Sequence, residues 1–339
     1  MTRISRYSAP RLALFLLALV GTSLGAQAQS SSTAAGQASH DPATLSVTPR
    51  RPELGSLVLL SIRRASAPGD SIVSITGWMG GEPLHFRGDD TGVDRAFGLV
   101  PLEASDSVVA RVVVRYDSGI SDTIRSVLAV PHRLNPTGGR PARSRRLRVS
   151  KVFTAKPDSL TEARIERENE EARAVGRHAH TTPELWTQPF LRPRSSRITS
   201  SFGSGRLFNG RLASSHGGVD FAGQPGDPVV ATNRGVVALV DNFFLAGNVV
   251  YIDHGGGVVT GYFHLTQALV AVGDTVERGQ QIGLVGATGR VTGPHLHWSA
   301  RYGEHTVDPM GLITLTSSPG ARQGATPGKW RASRRPKRK

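Results

Sequence analysis

The strongest constraint on this chain is a period of two. From about Leu45 to Val130, and again beyond Pro193, short runs rich in Val, Ile, Leu and Thr alternate with Gly, Pro, Asp and Asn. Residues two apart share one face of a strand, whereas a helix needs apolar residues three and four apart. The runs Ser56–Ile62, Ser71–Trp78, Phe97–Val100, Ser107–Arg115 and Thr123–Val130 therefore predict strands. So do Val229–Thr232, Gly235–Val240, Asn248–Asp253, Val258–Leu265, Gln281–Gly286 and His295–Arg301. A mostly β chain follows, and its 339 residues, 38% of them hydrophobic, suit two globular cores better than one.

The first block of strands, residues 45–150, reads as a small antiparallel β-sandwich of immunoglobulin-like type. It holds no catalytic cluster, and His85 and His132 stand alone in it as surface or turn residues. Residues 151–195 change character. Pro157-Asp158-Ser159 is a helix-start signal, and Ser159-x-x-Glu162 has the form of a capping box. The segment that follows is too charged for a core helix, so a solvated linker helix is expected, resting on a domain surface through Leu160, Ala163 and Ile165. Residues 196–316 then form a second, compact antiparallel β-domain.

The two ends carry their own signals. Arg3 and Arg6 precede an apolar run from Leu12 to Val20 and then Ala26-Gln27-Ala28, the form of a secretory signal peptide cleaved after Ala28. The run is much shorter than the roughly 20 residues that span a bilayer. The mature protein is therefore expected outside the inner membrane, in the periplasm or cell envelope, beginning with a flexible leader over 29–44. At the other end, residues 317–339 read as a disordered basic tail, with eight cationic side chains between Arg322 and Lys339 and no acidic residue after Gly320. Much of the net charge of +15 lies there. In an exported protein, such a tail meets an anionic wall polymer or membrane surface rather than nucleic acid, if it has a fixed partner at all. Cysteine is absent, so a metal site in this chain must use His, Asp or Glu.

Four of the eleven histidines gather in the second β-domain in settings that make chemical sense together. In Ser215-His216-Gly217-Gly218-Val219-Asp220, the even spacing puts His216 and Asp220 on one face of an extended segment, and the glycines let the backbone approach an ion. In His295-Leu296-His297-Trp298, both imidazoles share a strand face while Leu296 and Trp298 point into the core. The last, His264, closes the apolar run Tyr262-Phe263-His264-Leu265. Each motif alone is weak, since an H-x-H pair also arises by chance. Three protein ligands with one open position is the pattern of a catalytic zinc rather than a structural one, and His, Asp and His supply it. Arg206, Asn209 and Tyr251 are polar neighbours that turn or surface roles explain equally well, and His254 sits in a hairpin as a structural residue.

As an ordered set, His216-Gly-Gly-Val-Asp220, Tyr262-Phe-His264-Leu and Gly293-Pro-His295-Leu-His297 resemble the lysostaphin-type, or LytM-type, zinc metallopeptidases. The hairpin from Gly273 to Gly289 and the segments Ser201-Phe-Gly203 and Phe208-Asn-Gly210 extend the likeness over residues 198–312. The resemblance implies one zinc per chain held by His216, Asp220 and His297, with His264 and His295 as proton-transfer and oxyanion groups, the two roles left undivided between them. It also implies hydrolysis of the peptide cross-links of bacterial peptidoglycan. The competing reading is a catalytically silent envelope protein that binds peptidoglycan or activates another hydrolase, and the filling of all five positions argues against it. A biotinyl- or lipoyl-type carrier, whose hairpin looks similar, needs a lysine at the turn, and none lies between Lys156 and Lys329.

Overall fold

A computed structural model describes residues 42–63, 71–89, 91–131, 145–210 and 212–317. The expected signal peptide, most of the leader, His132 and the basic tail lie outside these residues. Among the described residues no helix is long and apolar enough to cross a membrane.

The N-terminal strands are β1 (Thr44–Thr48), β2 (Leu57–Arg63), β3 (Ile72–Met79), β4 (Glu82–Pro83), β5 (Arg87–Gly88), β6 (Val93–Leu99), β7 (Ser107–Tyr116) and β8 (Ser121–Ala129). They form two antiparallel sheets, ordered β1-β2-β6-β5 and β4-β3-β7-β8. Strand β7 shows why: Val108, Ala110, Val112, Val114 and Tyr116 are buried, while the intervening residues face outward. Leu60 and Ile62 from β2 meet them across a shared apolar core.

Between the two β-regions, β9 (Arg145–Leu147) pairs in parallel with β11 (Gly205–Phe208) and a short 3-10 turn follows at Lys151–Phe153. Helix α1 (Ser159–Ala179) starts one residue earlier than the capping-box pattern suggested, because the Asp158 carboxylate, not the Ser159 hydroxyl, accepts the Thr161 N–H. Its buried side also differs from expectation. Leu160 is 81% exposed, and the helix instead rests on Glu168, Ala172, Gly176 and Ala179. The spacing is helical, but two of the four contacts are long-range and polar or backbone. Glu168 accepts from Phe244 N and Arg164, and at Gly176 a Cβ would lie 1.9 Å from the Gly303 carbonyl.

The C-terminal strands are β10 (Ile198–Ser200), β12 (Leu212–Ser215), β13 (Val219–Ala222), β14 (Pro228–Val230), β15 (Gly235–Phe243), β16 (Gly247–Gly255), β17 (Val258–Ala268), β18 (Thr275–Val276), β19 (Gln281–Val285), β20 (His295–Tyr302) and β21 (His305–Val307), followed by helix α2 (Met310–Ser317). The main sheet runs β10-β13-β20-β17-β16-β15-β18, antiparallel at each step, with β19 paired to β14 and β17 and with β21 on β20. Phe221, Val250, Tyr262, Leu265, Leu296 and Trp298 fill its core.

The two β-regions touch through both apolar and polar contacts. Leu57, Phe97 and Leu99 of the sandwich join the C-terminal core, with Phe97 stacked on Trp186. His85, expected to be isolated, hydrogen-bonds His180 at 2.8 Å, and His180 in turn meets Glu82 at 2.9 Å. The Tyr302 hydroxyl donates to the Pro83 carbonyl.

Candidate metal and acid–base centre

Three adjacent strands build the site. Strand register sets Asp220 on β13 directly opposite His297 on β20, and Phe263 on β17 opposite His297 from the other side. Alternation does the rest: Val219, Phe221, Leu296 and Trp298 are buried on the core face, so Asp220, His295 and His297 emerge on the other. His216 arrives from the bend before β13. That bend needs Gly218, where a Cβ would sit 2.4 Å from the Trp298 carbonyl and 2.7 Å from His297 Nε2.

His216, Asp220 and His297 converge as the spacing suggested, with one ligand-capable atom of each within 4.8 Å of the others. All three are buried. Asp220 Oδ1 lies 2.9 Å from both His216 Nε2 and His297 Nδ1, which are themselves 2.9 Å apart. The other carboxylate oxygen, Oδ2, accepts from Arg206.

His264 and His295 flank this trio, their ring centroids 4.9 Å apart and His264 5.9 Å from His297. His264 has φ of +62°, a left-handed conformation that a side-chain-bearing residue adopts at a cost and that concentrates at functional positions.

Hydrogen bonds fix how the rings present themselves. His216 Nδ1 faces the Ser201 carbonyl at 3.0 Å, His264 Nδ1 the Thr288 carbonyl at 2.8 Å, and His295 Nδ1 the Gly293 carbonyl at 2.8 Å. A carbonyl only accepts, so in each neutral ring Nδ1 carries the proton and Nε2 offers a lone pair. His216 Nε2 thus points a lone pair at a carboxylate oxygen, and the buried His295 Nε2 has no hydrogen-bond partner among the described residues. Lone pairs and an anion converging in a buried site repel unless a cation sits among them, and two imidazoles with one carboxylate are a donor set that suits zinc.

The ionisation pattern agrees. Burial lowers His297 to about 4 and, with His295 and His297 nearby, pushes His264 well below its ordinary value. These two rings are therefore neutral near pH 7, as a ligand or a base must be.

Of the polar neighbours weighed in the sequence, Asn209 is tied to Val149 and Thr154, and Tyr251 is buried in the sheet under α1. His254 is buried with both ring nitrogens hydrogen-bonded, to the Arg234 carbonyl and Thr260. Arg206 does reach the site. Two further residues there were given no role in the sequence reading: Thr288, inside the Gly273–Gly289 hairpin, whose carbonyl orients His264, and Arg290, just beyond it, whose guanidinium lies 4.2 Å above the Phe208 ring.

Residues 214–309 match the description Peptidase family M23. The chain is similar to Peptidoglycan DD-endopeptidase ShyA of Vibrio cholerae, with 48% identity over 103 residues, 30% of this chain and 24% of that protein. It is also similar to DD-carboxypeptidase/endopeptidase Mpg of Neisseria meningitidis, with 42% identity over 124 residues, 36% of this chain and 28% of that one. The matched segment thus spans about a quarter of the length of these relatives. Among solved structures, a putative peptidase M23 from Pseudomonas aeruginosa aligns over 78% of this chain and 95% of its own, at 26% identity and a TM-score of 0.57.

Proposed function

We propose, from the premise that the C-terminal β-domain belongs to peptidase family M23, that this chain is a zinc-dependent endopeptidase cutting the peptide cross-links of bacterial peptidoglycan. The observation that carries the reading is the convergence of His216, Asp220 and His297 on one point, with the Nε2 lone pairs of His264 and His295 held beside it. The relatives named as peptidoglycan endopeptidases support the substrate class.

In this reading, zinc held by His216, Asp220 and His297 supplies the Lewis acidity that makes water a nucleophile near neutral pH. The chain's own residues do the remaining work. Arg206 holds Asp220 by Oδ2 and leaves Oδ1 turned toward the two ligand histidines. The Ser201 carbonyl fixes His216 with Nε2 inward. His264 and His295, each anchored at Nδ1, take the proton of the attacking water, steady the oxyanion by hydrogen bonding and return a proton to the leaving amine. Burial favours the neutral ring of His264, so it is ready to accept a proton.

The rest of the chain fits a two-domain exported enzyme. The sheet orders β1-β2-β6-β5 and β4-β3-β7-β8 support an immunoglobulin-like sandwich over 45–150. Residues 151–195 link it to the catalytic domain over 196–316, and the signal sequence at 1–28 directs the protein to the periplasm or envelope. Digestion of purified cell wall by zinc-loaded protein, with the released fragments identified by mass spectrometry, tests the activity and names the bond. Cleaved cross-links support the proposal. Intact wall under zinc-replete conditions would leave the silent, wall-binding reading in its place.

A further inference from the structure

Beyond the five residues above, the centre carries two arginines: Arg206, which holds Asp220, and Arg290, which has no role assigned so far. Arg206 on β11 and Arg290 on the loop before β20 both line a cavity of about 330 Å³ that Asp220 and His295 share. They also line a second cavity of about 150 Å³, which opens onto His216, His264 and His297. Both arginines therefore border the two cavities that flank the centre. Asp220 is the one carboxylate lining either cavity among the described residues, and Arg206 already occupies its Oδ2.

Arg290 is different. It is partly buried, its backbone N–H is tied to the Leu245 carbonyl at 2.8 Å, and its guanidinium lies on the buried Phe208 ring. No carboxylate lies within ion-pair distance of it among the described residues. Burial and the neighbouring Arg206 both disfavour its charge. A half-buried guanidinium held over an aromatic ring gains most from a planar anion that it can grip with two N–H groups. The exposed Arg197 at the rim of the larger cavity adds to the same positive field.

We propose that Arg290, backed by Arg206, is a specificity-determining residue that grips a free carboxylate of the substrate next to the scissile amide. This rests on the endopeptidase reading and narrows it: the preferred cross-link carries an anionic group on a residue flanking the cut. Arg206 is a poor probe, since it also positions Asp220, so the test falls on Arg290.

Two synthetic cross-linked peptides serve, alike except for a free carboxylate or a primary carboxamide on the residue that supplies the scissile amine. Zinc-loaded wild-type protein should cleave the carboxylate form with kcat/KM about 10- to 100-fold higher, mostly through KM, the scale of one charge-assisted hydrogen-bonded pair. In Arg290→Gln the preference should fall toward 1, with the loss concentrated on the carboxylate peptide, while Arg290→Lys keeps part of it and zinc content stays at one per chain. Equal cleavage of both peptides by the wild type overturns the carboxylate site and leaves the endopeptidase reading standing. So does an equal loss on both peptides in Arg290→Gln, which would mark a general structural or electrostatic role. Cleavage of neither peptide by zinc-loaded wild type sinks both proposals together.

Discussion

The N-terminal sandwich and the C-terminal β-domain follow one construction rule and differ in what they bury. Both are antiparallel strands with apolar residues alternating inward. The apolar core of the sandwich is Val, Leu, Ile, Met, Ala and Tyr, and the carboxylates buried on its described strands are Glu82, which meets His180, and Asp94. The C-terminal domain buries His216, Asp220, His254, His264 and His297 as well. Burying such groups costs free energy unless each finds a partner. His254 finds two within the protein and closes its own account. The others turn lone pairs and a carboxylate toward one another, which is stable only with something further bound. The contrast teaches that buried polarity by itself marks no function, and that convergence of unsatisfied acceptors does.

If convergence is the mark of function, its removal should have the largest effect. His216→Ala, Asp220→Ala and His297→Ala each delete one of three proposed ligands, so each should lose zinc and fall to background hydrolysis. Atomic emission measured beside wall digestion decides it, and a fully zinc-loaded Asp220→Ala would break the comparison at its root. The next effect separates ligands from proton carriers. His264→Ala and His295→Ala should keep zinc but lose roughly 10²- to 10⁴-fold in turnover, the usual scale for a positioned acid or base. Zinc loss in His264→Ala equal to that in His216→Ala would show that the division of roles is mistaken.

The sandwich offers the opposite test. Leu60 is fully buried in its core, so Leu60→Ala should cost about 2–5 kcal/mol of stability. Below the melting transition, zinc content and turnover per folded molecule should be unchanged. A zinc-poor Leu60→Ala protein that remains folded by circular dichroism would mean that the two regions are not separable in the way their cores imply.

How much of this was legible in the sequence follows the range of the interactions. The alternation of Val108 to Tyr116 and of Leu296 to Trp298 is local, and the strands formed as read. The five histidine and aspartate positions lay inside short motifs, and strand register brought them together. The buried face of α1 was misread because Glu168 is satisfied by Phe244 N and Gly176 is required by Gly303, contacts that span 76 residues and more. His85 and His180 looked unremarkable for the same reason, since each meets the other only across the contact between the two β-regions. Arg290 carries no periodic or motif signal, and its position depends on a ring contributed by another strand.

The smallest expected effect concerns the histidine that the comparison sets aside as structural. Burial lowers His254 from the ordinary 6.5 to about 4, with the Arg234 carbonyl opposing only part of the shift. Its ring is thus neutral in the fold, while the unfolded chain takes up a proton near pH 6.5. Below that pH the unfolded state binds more protons than the folded state, so stability falls as the pH drops, and the loss levels off near pH 4, where both states are protonated. At 1.36 kcal/mol per pH unit the loss from His254 alone is roughly 3 kcal/mol, and His85, His264 and His297, also lowered by burial, add to the slope of the zinc-free protein in the same direction. Urea denaturation from pH 7 to pH 4 on zinc-free protein, wild type against His254→Gln, isolates it. Glutamine retains a donor and an acceptor for the Arg234 carbonyl and Thr260 but cannot titrate, so the variant should be less stable at pH 7 and show a shallower pH slope. An unchanged slope would mean that His254 is protonated in the fold, and that a buried histidine with both nitrogens bonded is not, after all, the closed counterpart of the open centre beside it.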